Sequence, residues 1–583
     1  MGPSTSPFAD ALPQLILHED EDLLVVSKPA GWNTHAPSPY ANEGVYEFLR
    51  HREPRWASLA IIHRLDKDTS GLMVFTKTPE ANKSLTLQFS NREVRKAYLL
   101  LTDRPPSERE FTVTSELMRI GERYGSRPGG QPAETRFRVL HTVPSVGMNH
   151  RTLTAVRAEP LTGRTHQIRV HAAEKGFPIY GDSLYGGAAA PRVFLHAAEL
   201  AFRHPHTGQA LEFHSPPPWG DPPSALRSSN SDLASAPAFV DPALTDGYRV
   251  IHGASQDWPG CFVDRLGSYL LAQSEEPLTR EQTTALKEAV APDADRISKP
   301  DSVSAPVPAP ASRSTLTQAC PTAIRGVYHK LLLRRIRGTA PQSVSPALIH
   351  GAAAPDRFVM RENGLQFELS FQEGYSVGIF LDQRDNRRRC LTGHVAAGFE
   401  LKPQPSSTAK PELLNTFAYT CAFSVAAAAG GWRTTSLDLS KKYLDWGKRN
   451  FLLNGLDPGE HDSVFGDTFD WLKRWAKRGR RFDAVILDPP TFSESKEHGR
   501  FQAEKDYGDL VTAALGVLNP RGVILASTNA ARLEPEKFMD IVLAAVQRAG
   551  RKVERQHYVP QPPDFPITRE EPGYLKTLWV RTA

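Results

Sequence analysis

One aspartate in the N-terminal third of the chain is a candidate catalytic group. Asp66 lies in the stretch IHRLDKDTSGL, between a basic pair and a Thr-Ser-Gly turn and just after an apolar run. A carboxylate in such a place is by default an exposed turn residue. A carboxylate held ionised beside a cation can instead act as a nucleophile or a base. The other motifs of the chain must decide between these two interpretations.

Acidic and polar residues also follow a succession of apolar runs in the C-terminal part. The runs LLNTFAYT, TTSLDL, VFGD and FDAVILDPP place Phe417, Asp438, Asp467 and Asp488 at or just beyond their carboxyl ends. A doubly wound sheet binds nucleotides at the carboxyl ends of its parallel strands. Asp438, about twenty residues after Phe417, suits hydrogen bonds to ribose hydroxyls. Asp467 suits an adenine amino group, because a carboxylate accepts hydrogen bonds.

Two segments rich in proline and serine divide the chain, at 214–239 and 292–318. Such composition cannot bury enough surface to offset chain entropy, so both segments are predicted to be linkers or surface insertions. A chain of 583 residues exceeds one hydrophobic core. We therefore predict a multidomain α/β protein. Its expected parts are an N-terminal domain (1–215), a linker (216–243), a central α+β domain (244–360) and a C-terminal domain (361–583).

Apolar periodicity predicts a different fold for each large part. Before the first break, runs such as LLVVSKP, GLMVFTKT and KAYLLLT alternate with period two and are separated by turn residues. This pattern predicts a mixed, mostly antiparallel sheet. After the second break, buried-type strands alternate with helical stretches such as SKKYLDWGKRNFLLNG. That alternation predicts a doubly wound, Rossmann-like parallel sheet.

The composition sets broad limits on function. Net charge is +5 with a pI of about 8.8, which permits a nucleic-acid partner. The four cysteines form no C-x-x-C pair, so neither a disulfide framework nor a structural zinc site is expected. No run of 18 apolar residues and no secretory signal pattern occurs. We expect a soluble, cytoplasmic protein without a bound metal.

Four ordered motifs give the N-terminal part a family resemblance. Residues 14–215 resemble the RluA-type pseudouridine synthases through VVSKPAGWNTH, HRLDKDTSGL, RKAYL and LTGRTHQIRVHAAEKGFPIYGDSLYG. The resemblance implies an RNA uridine isomerase, which breaks a glycosidic bond, turns the base and rejoins it through carbon. No cofactor is implied for this reaction. A paired base must leave the stack to react, so loop or unpaired uridines are favoured.

The same resemblance assigns roles to individual residues. Asp66 corresponds to the catalytic carboxylate and Arg169 to the cation that pairs with it. Tyr98 is expected to stack on the base and assist proton removal, and Arg64 to occupy the space of a flipped nucleotide. The histidines in these motifs are interpreted as phosphate-contacting or structural, and they are His63, His166 and His171.

The C-terminal part resembles the RlmI/RlmK-type class I methyltransferases, which use S-adenosylmethionine. The match runs from about residue 244 to EEPGYLKTLWV and includes GIFLDQRDNRR, YLDWGKRNFLLNGL and DPPTFSESK. The resemblance implies that the cofactor pocket is lined by Phe417, Tyr419, Thr420, Asp438 and Asp467. It also implies that Gln383 and Arg384 close over the cofactor. Asp488, Pro489 and Pro490 are expected to face the reacting base, with Asp488 in a catalytic role.

Cys421 departs from the family pattern, which usually has glycine in this turn. Glycine tolerates positive φ and close backbone approach, whereas cysteine carries a Cβ into that space. One interpretation is that the turn accepts a small side chain. The other is weakened cofactor binding, which would make the methyltransferase the dormant half.

The lack of a cysteine in one segment limits which base atom can accept the methyl group. Methylation of cytosine carbon 5 requires a thiolate that attacks carbon 6. The corresponding segment LASTNAAR contains Ser527, Thr528 and Asn529 and no cysteine. A ring nitrogen needs only positioning and exclusion of water. We therefore expect a ring nitrogen of guanine, as in the guanine-N7 branch that the DPPTFSESK segment resembles.

Together these features predict a bifunctional RNA-modification enzyme that acts on large-subunit ribosomal RNA, with S-adenosylmethionine as cofactor of one half. No obligatory protein partner and no membrane association are indicated. Three alternatives stay open: a single active half with the other as an RNA-binding platform, a cytosine carbon-5 acceptor, and a non-catalytic RNA chaperone. The basic stretches RDNRRR and WLKRWAKRGRR are compatible with contacts to phosphates.

Overall fold

A computed structural model describes residues 14–144, 152–220, 233, 236–290, 323–332, 345–373, 376–402, 410–495 and 499–583. The expected insertion at 292–318 lies outside these ranges, and so do residues 221–232 and 234–235 of the expected linker. Within the described ranges no helix is long and apolar enough to cross a membrane.

The N-terminal part is built on one 11-stranded mixed sheet. Its strands are β1 (Ile16–Glu19), β2 (Leu23–Lys28), β3 (Ala60–Ile61), β4 (Ser70–Thr76), β5 (Arg95–Thr102), β6 (Glu110–Ile120), β7 (Arg123–Ser126), β8 (Gln131–Pro144), β9 (Thr152–Pro160), β10 (Leu195–Arg203) and β11 (Ala210–His214). The main order is β1-β2-β4-β10-β5-β9-β8-β6-β7, with parallel pairing between β4 and β10. The predicted mixed, mostly antiparallel sheet is confirmed.

Three helices pack on this sheet: α1 (Val45–Arg50), α2 (Pro79–Ser90) and α3 (Gln167–Glu174). Thr78 begins α2 by accepting a hydrogen bond from the amide of Ala81, and proline occupies the first helical position. Leu85 of α2 packs into a cluster with alternate residues of β2 and β4. The opposite residues of those strands pack with α1, so both faces of the sheet are covered there.

The described residues of the central part form a five-stranded sheet and one α-helix. Its elements are β12 (Gly247–His252), β13 (Cys261–Leu266), β14 (Tyr269–Ser274), α4 (Arg280–Glu288), β15 (Gly326–Leu331) and β16 (Ala347–Gly351). A hairpin follows, made of β17 (Phe358–Glu362) and β18 (Leu365–Leu369), and it spans the domain boundary expected at residue 360. Tyr269 and Tyr328 of the central sheet share one apolar core with this hairpin and with the C-terminal domain.

The C-terminal domain is a doubly wound sheet, as predicted. Its elements are α5 (Arg384–Thr392), β19 (His394–Ala396), β20 (Phe399–Glu400), β21 (Glu412–Thr416), α6 (Ala422–Ala429), β22 (Arg433–Asp438), α7 (Lys441–Leu453), β23 (Asp462–Phe465), α8 (Thr468–Lys477), β24 (Phe482–Leu487), β25 (Phe492–Ser495), β26 (Gly499–Gln502), α9 (Ala503–Leu515), β27 (Leu518–Thr528), α10 (Pro535–Arg548), β28 (Val553–Val559) and β29 (Lys576–Thr582).

The main sheet of this domain has the order β23-β22-β21-β24-β27-β29-β28. Pairing is parallel from β23 through β27 and antiparallel for the last two strands. Neighbouring residues of one strand enter different cores: Leu413 packs with α6 and α7, whereas Leu414 packs with α9 and α10. The strands are therefore buried on both faces, which explains their continuous apolar sequence.

The N- and C-terminal domains are in contact through α1 and α5. Arg388 of α5 donates to the carbonyl of Arg52 at 2.7 Å and forms an ion pair with Glu53. Asn42 donates to the carbonyl of Phe565 at 3.2 Å. Arg388 and Glu53 are each about a tenth exposed in their side chains (9% and 10%). Because breaking a buried ion pair strands a charge, this contact favours one fixed arrangement of the two domains.

Cys421 is accommodated by a glycine on the neighbouring helix. It has a φ of 60°, in the left-handed region, and begins α6. Its side chain points toward α7, where a Cβ placed on Gly447 would lie only 2.8 Å from the Cys421 Cβ. Any other residue at position 447 would collide with the cysteine. The extra atoms at position 421 therefore pack between two helices of the domain core.

This packing predicts a coupled pair of substitutions. Gly447→Ala should destabilise the protein by about 1–3 kcal/mol, because two overlapping groups must move apart. Cys421→Gly combined with Gly447→Ala should recover much of that loss, since the sulfur is gone and glycine tolerates positive φ. Thermal unfolding of the two single variants and the double variant completes a cycle. Equal losses in Gly447→Ala and the double variant would contradict this packing.

Candidate active sites

Asp66 lies in the loop between β3 and β4, at the wall of a large cavity. The cavity has a volume of about 1140 Å³. The predicted residues Arg64, Tyr98 and Arg169 line it together with Asp66, although they come from separate parts of the chain. The side chain of Asp66 is 24% exposed, so its carboxylate is sheltered yet accessible.

Buried polar groups hold the Asp66 loop in place. The amine of Lys28 donates to the carbonyls of Pro29 at 2.9 Å, Trp32 at 2.7 Å and Lys67 at 3.0 Å. The hydroxyl of Thr34 donates to the carbonyl of Leu65 at 2.9 Å and accepts from its amide at 3.1 Å. The residues on both sides of Asp66 are thus anchored. Neither Lys28 nor Thr34 was predicted, although both lie in the VVSKPAGWNTH motif.

Arg169 is shared between two carboxylates. Its Nε and Nη2 donate to the two oxygens of Asp182 at 2.7 and 2.8 Å. Its remaining nitrogen, Nη1, lies 3.7 Å from Oδ2 of Asp66. The expected contact between Arg169 and Asp66 is present, but the tighter pair is with Asp182. The sequence analysis missed Asp182, although it stands in the quoted segment FPIYGDSLYG.

Tyr98 of β5 stands near Asp66 in the same cavity. Burial, and then the charge of Asp66, raise the pKa of the Tyr98 phenol above its usual value. The side chain is therefore a neutral phenol at physiological pH. A neutral phenol can stack on a base. It can assist a proton transfer by donating its own proton while it accepts another. Arg64, by contrast, is exposed and free to meet a large ligand at the cavity mouth.

Two of the three motif histidines are structural. His63 accepts a hydrogen bond from the amide of Val74 at 3.1 Å, and burial lowers its pKa to about 3. His171 is buried and lies 2.9 Å from the hydroxyl of Ser115 and 3.0 Å from that of Thr135. His166 has a φ of 56° and lies 4.0 Å from Asp66, so it belongs to the cavity wall.

A group of possible metal ligands lies at the edge of this cavity. Glu199, Glu212 and His214 bring one ligand atom each within 4.8 Å of one another. Glu199 is already engaged by Arg157, whose Nη2 donates to it at 2.7 Å. Glu212 and His214 are exposed, and such surface groups commonly occur without an ion.

The predicted cofactor residues gather at the carboxyl ends of the parallel strands. Asp438 ends β22, and its two oxygens accept from the amides of Tyr419 and Ser440, each at 2.8 Å. Burial raises the pKa of the Asp438 carboxyl. Each carboxylate oxygen has a second lone pair, so ribose hydroxyls can still be bound. Asp467 follows β23 and uses Oδ1 to cap α8 through the amide of Asp470 at 3.1 Å.

The turn after β21 has an unusual backbone. Phe417 and Tyr419 have φ values of 52° and 48°, in the left-handed region. Thr420 is fully buried, and its hydroxyl donates to the carbonyl of Gly378 at 2.6 Å. Tyr419 packs against Tyr443 with ring centroids 4.6 Å apart. The turn is therefore fixed by contacts with α7 and with the segment that precedes FLDQR.

Gln383 and Asp488 belong to one polar network at the ends of β24 and β27. Gln383 donates to the hydroxyl of Ser527 at 2.7 Å and accepts from Asn386 at 2.8 Å. Burial raises the pKa of Asp488 to about 6, and hydrogen bonds to Ser527 and Gln383 oppose that shift. Pro489 is buried and Pro490 is exposed. An aspartate at this pKa can exchange a proton near neutral pH.

Arg384, in the FLDQR segment, forms a buried ion pair with Asp564. Its Nη1 and Nη2 donate to Asp564 Oδ2 and Oδ1, each at 2.7 Å, and both side chains are buried. Asp564 was not anticipated, because it lies in an irregular segment without a motif. The guanidinium fixes the position of the FLDQR turn, while Gln383 faces the strand ends.

The two described cysteines of the C-terminal domain are buried and poorly suited to act as nucleophiles. Burial raises the pKa of both Cys390 and Cys421 to about 12. The end of β27 carries Ser527 and Thr528, and Asn529 follows, where it accepts from the Thr491 hydroxyl at 2.6 Å. The described end of this strand therefore presents hydroxyl and amide groups and no thiol.

The polar and aromatic side chains at the strand ends fit S-adenosylmethionine. Acidic groups after β22 and β23 match a ribose diol and an adenine amino group. The aromatic rings of Phe417 and Tyr419 lie on the turn after β21, the strand next to β22. Asp438 and Asp467 would hold the nucleoside part. The cofactor would supply an electrophilic methyl group.

Comparison with known proteins agrees with both sites. Residues 22–174 match the family model "RNA pseudouridylate synthase", and residues 310–581 match "S-adenosylmethionine-dependent methyltransferase". The second description confirms the expected cofactor. The first model covers the Asp66 loop and Arg169, and the second covers the strand ends and part of the central domain.

Named relatives match each part. A "Ribosomal RNA large subunit methyltransferase" of Deinococcus radiodurans is 31% identical over 350 residues, which are 59% of this chain and 74% of the relative. A "Ribosomal large subunit pseudouridine synthase C" of Vibrio vulnificus is 37% identical over 216 residues, which are 35% of this chain and 66% of the relative. The protein with the same name in Escherichia coli is 37% identical over 222 residues, which are 35% of this chain and 67% of the relative.

The chain thus spans about two thirds of the pseudouridine synthases that it matches and about three quarters of the methyltransferase (66%, 67% and 74%). Both similarities rest on sequence identity above 30% over most of the relative. The chain therefore belongs to two enzyme families: the RNA pseudouridylate synthases through its N-terminal domain and the S-adenosylmethionine-dependent methyltransferases through its C-terminal part.

Proposed function

We propose that this protein is a bifunctional enzyme of large-subunit ribosomal RNA, which isomerises a uridine to pseudouridine and methylates a ring nitrogen of a guanine. The observation that carries the first activity is the sheltered Asp66 carboxylate facing Arg169 in a cavity large enough for a nucleotide. The names of the relatives support ribosomal RNA as the substrate of both halves. A cytoplasmic location follows from that substrate.

The N-terminal residues divide the work of isomerisation. Asp66 either attacks the ribose carbon that holds the base or removes a ribose proton; in both cases the carbon–nitrogen glycosidic bond breaks and uracil leaves. The base then bonds to the ribose through carbon, which restores the free carboxylate. Arg169 supplies the counter-charge that keeps the carboxylate oriented. Tyr98 provides a face for the detached uracil and donates from its neutral phenol. Arg64, exposed at the cavity mouth, occupies the position vacated in the RNA by the flipped nucleotide. Water is kept from the detached base by the cavity walls.

The C-terminal residues support a nitrogen acceptor. Methylation of carbon would need a thiolate, and the two described cysteines of this domain are buried thiols with raised pKa values. Asp488 and Gln383, on the network around Ser527, would hold the acceptor base by its hydrogen-bonding edge. A ring nitrogen with a lone pair needs no further activation once it is positioned. The lack of a reactive thiol favours a ring nitrogen, and the resemblance of the DPPTFSESK segment to the guanine-N7 branch points to N7 of guanine.

Replacement of the N-terminal carboxylate tests the first activity. Asp66→Asn should abolish tritium release from RNA labelled at uridine carbon 5, because the amide is neither a nucleophile nor a base at neutral pH. RNA binding should persist, since the side chain keeps its size. Glu80→Gln, at an exposed carboxylate of α2 that does not line the cavity, is the matched control and should retain the release. Absence of release by the wild-type protein on any cellular RNA would refute the assignment.

Mapping of the methylated nucleotide tests the second activity. Large-subunit RNA from a strain lacking the gene should gain one methyl group when incubated with the protein and tritiated S-adenosylmethionine. Nucleoside analysis should identify the product as 7-methylguanosine. If 5-methylcytosine appears instead, the inference from the missing thiol is wrong. If no methyl is transferred and the cofactor does not raise the melting temperature, this half is an RNA-binding platform.

The raised pKa of Asp488 predicts that replacing this residue with asparagine stabilises the folded protein, by an amount that depends on pH. Burial raises this pKa from 3.8 to about 6, so the folded protein carries an ionised carboxyl at a cost above pH 6. Asp488→Asn should remove a cost of about 3 kcal/mol at pH 8. Near pH 4 most of the gain should be lost, because the carboxyl is protonated in the folded protein and, with its usual pKa of 3.8, only partly ionised in the unfolded chain.

Thermal unfolding of the two proteins at pH 8 and pH 4 measures the effect. The melting temperature of Asp488→Asn should exceed that of the wild type clearly at the higher pH and only slightly at the lower pH, and methyl transfer should be lost. A melting temperature lowered by equal amounts at both values would show that Asp488 is a stabilising structural residue instead.

A further inference from the structure

A second cavity lies beside the one that contains Asp66. Its volume is about 390 Å³, and it shares Lys67, His166 and Arg169 with the larger cavity. Asp68, Asp182 and Arg192 complete its polar walls. Asp66 and Tyr98 line the larger cavity and not this one. Arg169 and His166 therefore form a partition between two neighbouring spaces.

Arg192 is held in this cavity by a chain of hydrogen bonds. Its Nη2 donates to the Ser70 hydroxyl oxygen at 2.6 Å. The Ser70 hydroxyl and His196 Nδ1 are 2.8 Å apart, and His196 Nε2 lies 3.0 Å from the carbonyl of Ser215. Because that carbonyl can only accept, His196 carries its proton on Nε2 and Ser70 donates to Nδ1. The donors and acceptors of the whole chain are thereby fixed, and Arg192 is pre-oriented.

The guanidinium of Arg192 lacks an acidic partner among the residues that the structure describes. Its contacts there are the Ser70 hydroxyl, the carbonyl of Val193 at 3.3 Å and the ring of Trp219 at 5.1 Å. Burial lowers its pKa to about 10, and the more distant charge of Asp68 only partly opposes this. A half-buried cation in this state is stabilised by an incoming anion.

The charges around the cavity are suited to a monoanion. The cations are Lys67, Arg169 and Arg192, and the carboxylates are Asp68 and Asp182. Burial lowers the pKa of His166, so it is neutral at physiological pH. Arg169 and Asp182 neutralise each other, and one positive charge is left over. A phosphodiester carries one negative charge, and a guanidinium matches two of its oxygens.

We propose that this cavity binds a backbone phosphodiester of the RNA strand whose uridine occupies the Asp66 cavity. The proposal rests on the proposed isomerase function. A flipped nucleotide keeps its phosphates on either side of its ribose. With the base in the larger cavity, a flanking phosphate can reach the neighbouring space across the partition formed by Arg169 and His166. Phosphate contacts fix the register of a nucleic acid without reading its sequence.

The salt dependence of RNA binding tests this site. Binding of an unmodified large-subunit ribosomal RNA transcript is measured by filter retention over a range of KCl concentrations. All proteins carry Asp66→Asn, so that isomerisation plays no part. Arg192→Gln should weaken binding about tenfold or more at low salt. It should also lower the slope of log K against log salt by about 0.7 to 0.9, the value of one phosphate contact.

Companion variants separate charge from folding. Arg192→Lys should restore the slope, because the charge is kept, but not the full affinity, because the guanidinium fork is lost. Lys67→Gln should also lower the slope, and it should leave the fold intact because the Lys67 side chain is exposed. Arg521→Gln is the control, since this exposed arginine lies in the C-terminal domain and pairs with Glu554. It should change neither affinity nor slope.

Each outcome has a distinct meaning. Unchanged slopes for Arg192→Gln and Lys67→Gln would overturn the proposal. If inorganic phosphate raises the melting temperature only when Arg192 is present, yet the RNA slope is unchanged, the cavity is a free-anion site and the proposal is wrong. Loss of slope together with no tritium release by the wild-type protein, which keeps Asp66, would support the phosphodiester site and refute the isomerase assignment.

Discussion

The guanidinium of Arg169 faces two carboxylates, and the N-terminal site depends on its forming hydrogen bonds with one and only a longer ion pair with the other. Two nitrogens are committed to Asp182 in a buried bidentate pair, which leaves Nη1 for Asp66. A free arginine would form the same bidentate pair with Asp66 and would neutralise it. Because Asp182 takes the stronger geometry, Asp66 keeps a nearby positive charge and an accessible carboxylate. The same pair fixes α3 against the turn that contains Asp182.

Other buried polar groups around this site are also held by specific hydrogen bonds. Lys28 and Thr34 satisfy backbone carbonyls on both sides of Asp66, and Ser70 connects β4 to His196 of β10 and to Arg192. Each of these buried groups would be costly if it lost its partners. The catalytic loop is thus held by polar contacts that have few alternative arrangements. This gives the two cavities beside Arg169 a fixed relation to each other.

In the C-terminal domain the governing constraint is the meeting of parallel strands at one edge. Asp438, Asp467, Asp488 and Ser527 lie at the ends of four parallel strands, β22, β23, β24 and β27. They share one edge of the sheet because parallel strands align their carboxyl ends. The turn after β21 accepts cysteine because Gly447 leaves space on α7. The structure therefore favours the first of the two interpretations of Cys421. The FLDQR turn is joined to the N-terminal domain through α5, whose Arg388 reaches Glu53.

The sequence by itself determined the two families, the fold class of each large part and most of the candidate site residues. Ordered motifs such as HRLDKDTSGL and DPPTFSESK carry local chemistry, and apolar periodicity carries the alternation of strands and helices. Only the tertiary structure decided which groups pair. Asp182 with Arg169, Asp564 with Arg384 and Gly447 with Cys421 are each contacts between segments distant along the chain. Such pairs depend on how the sheets bring segments together, and no local pattern of residue types encodes that geometry.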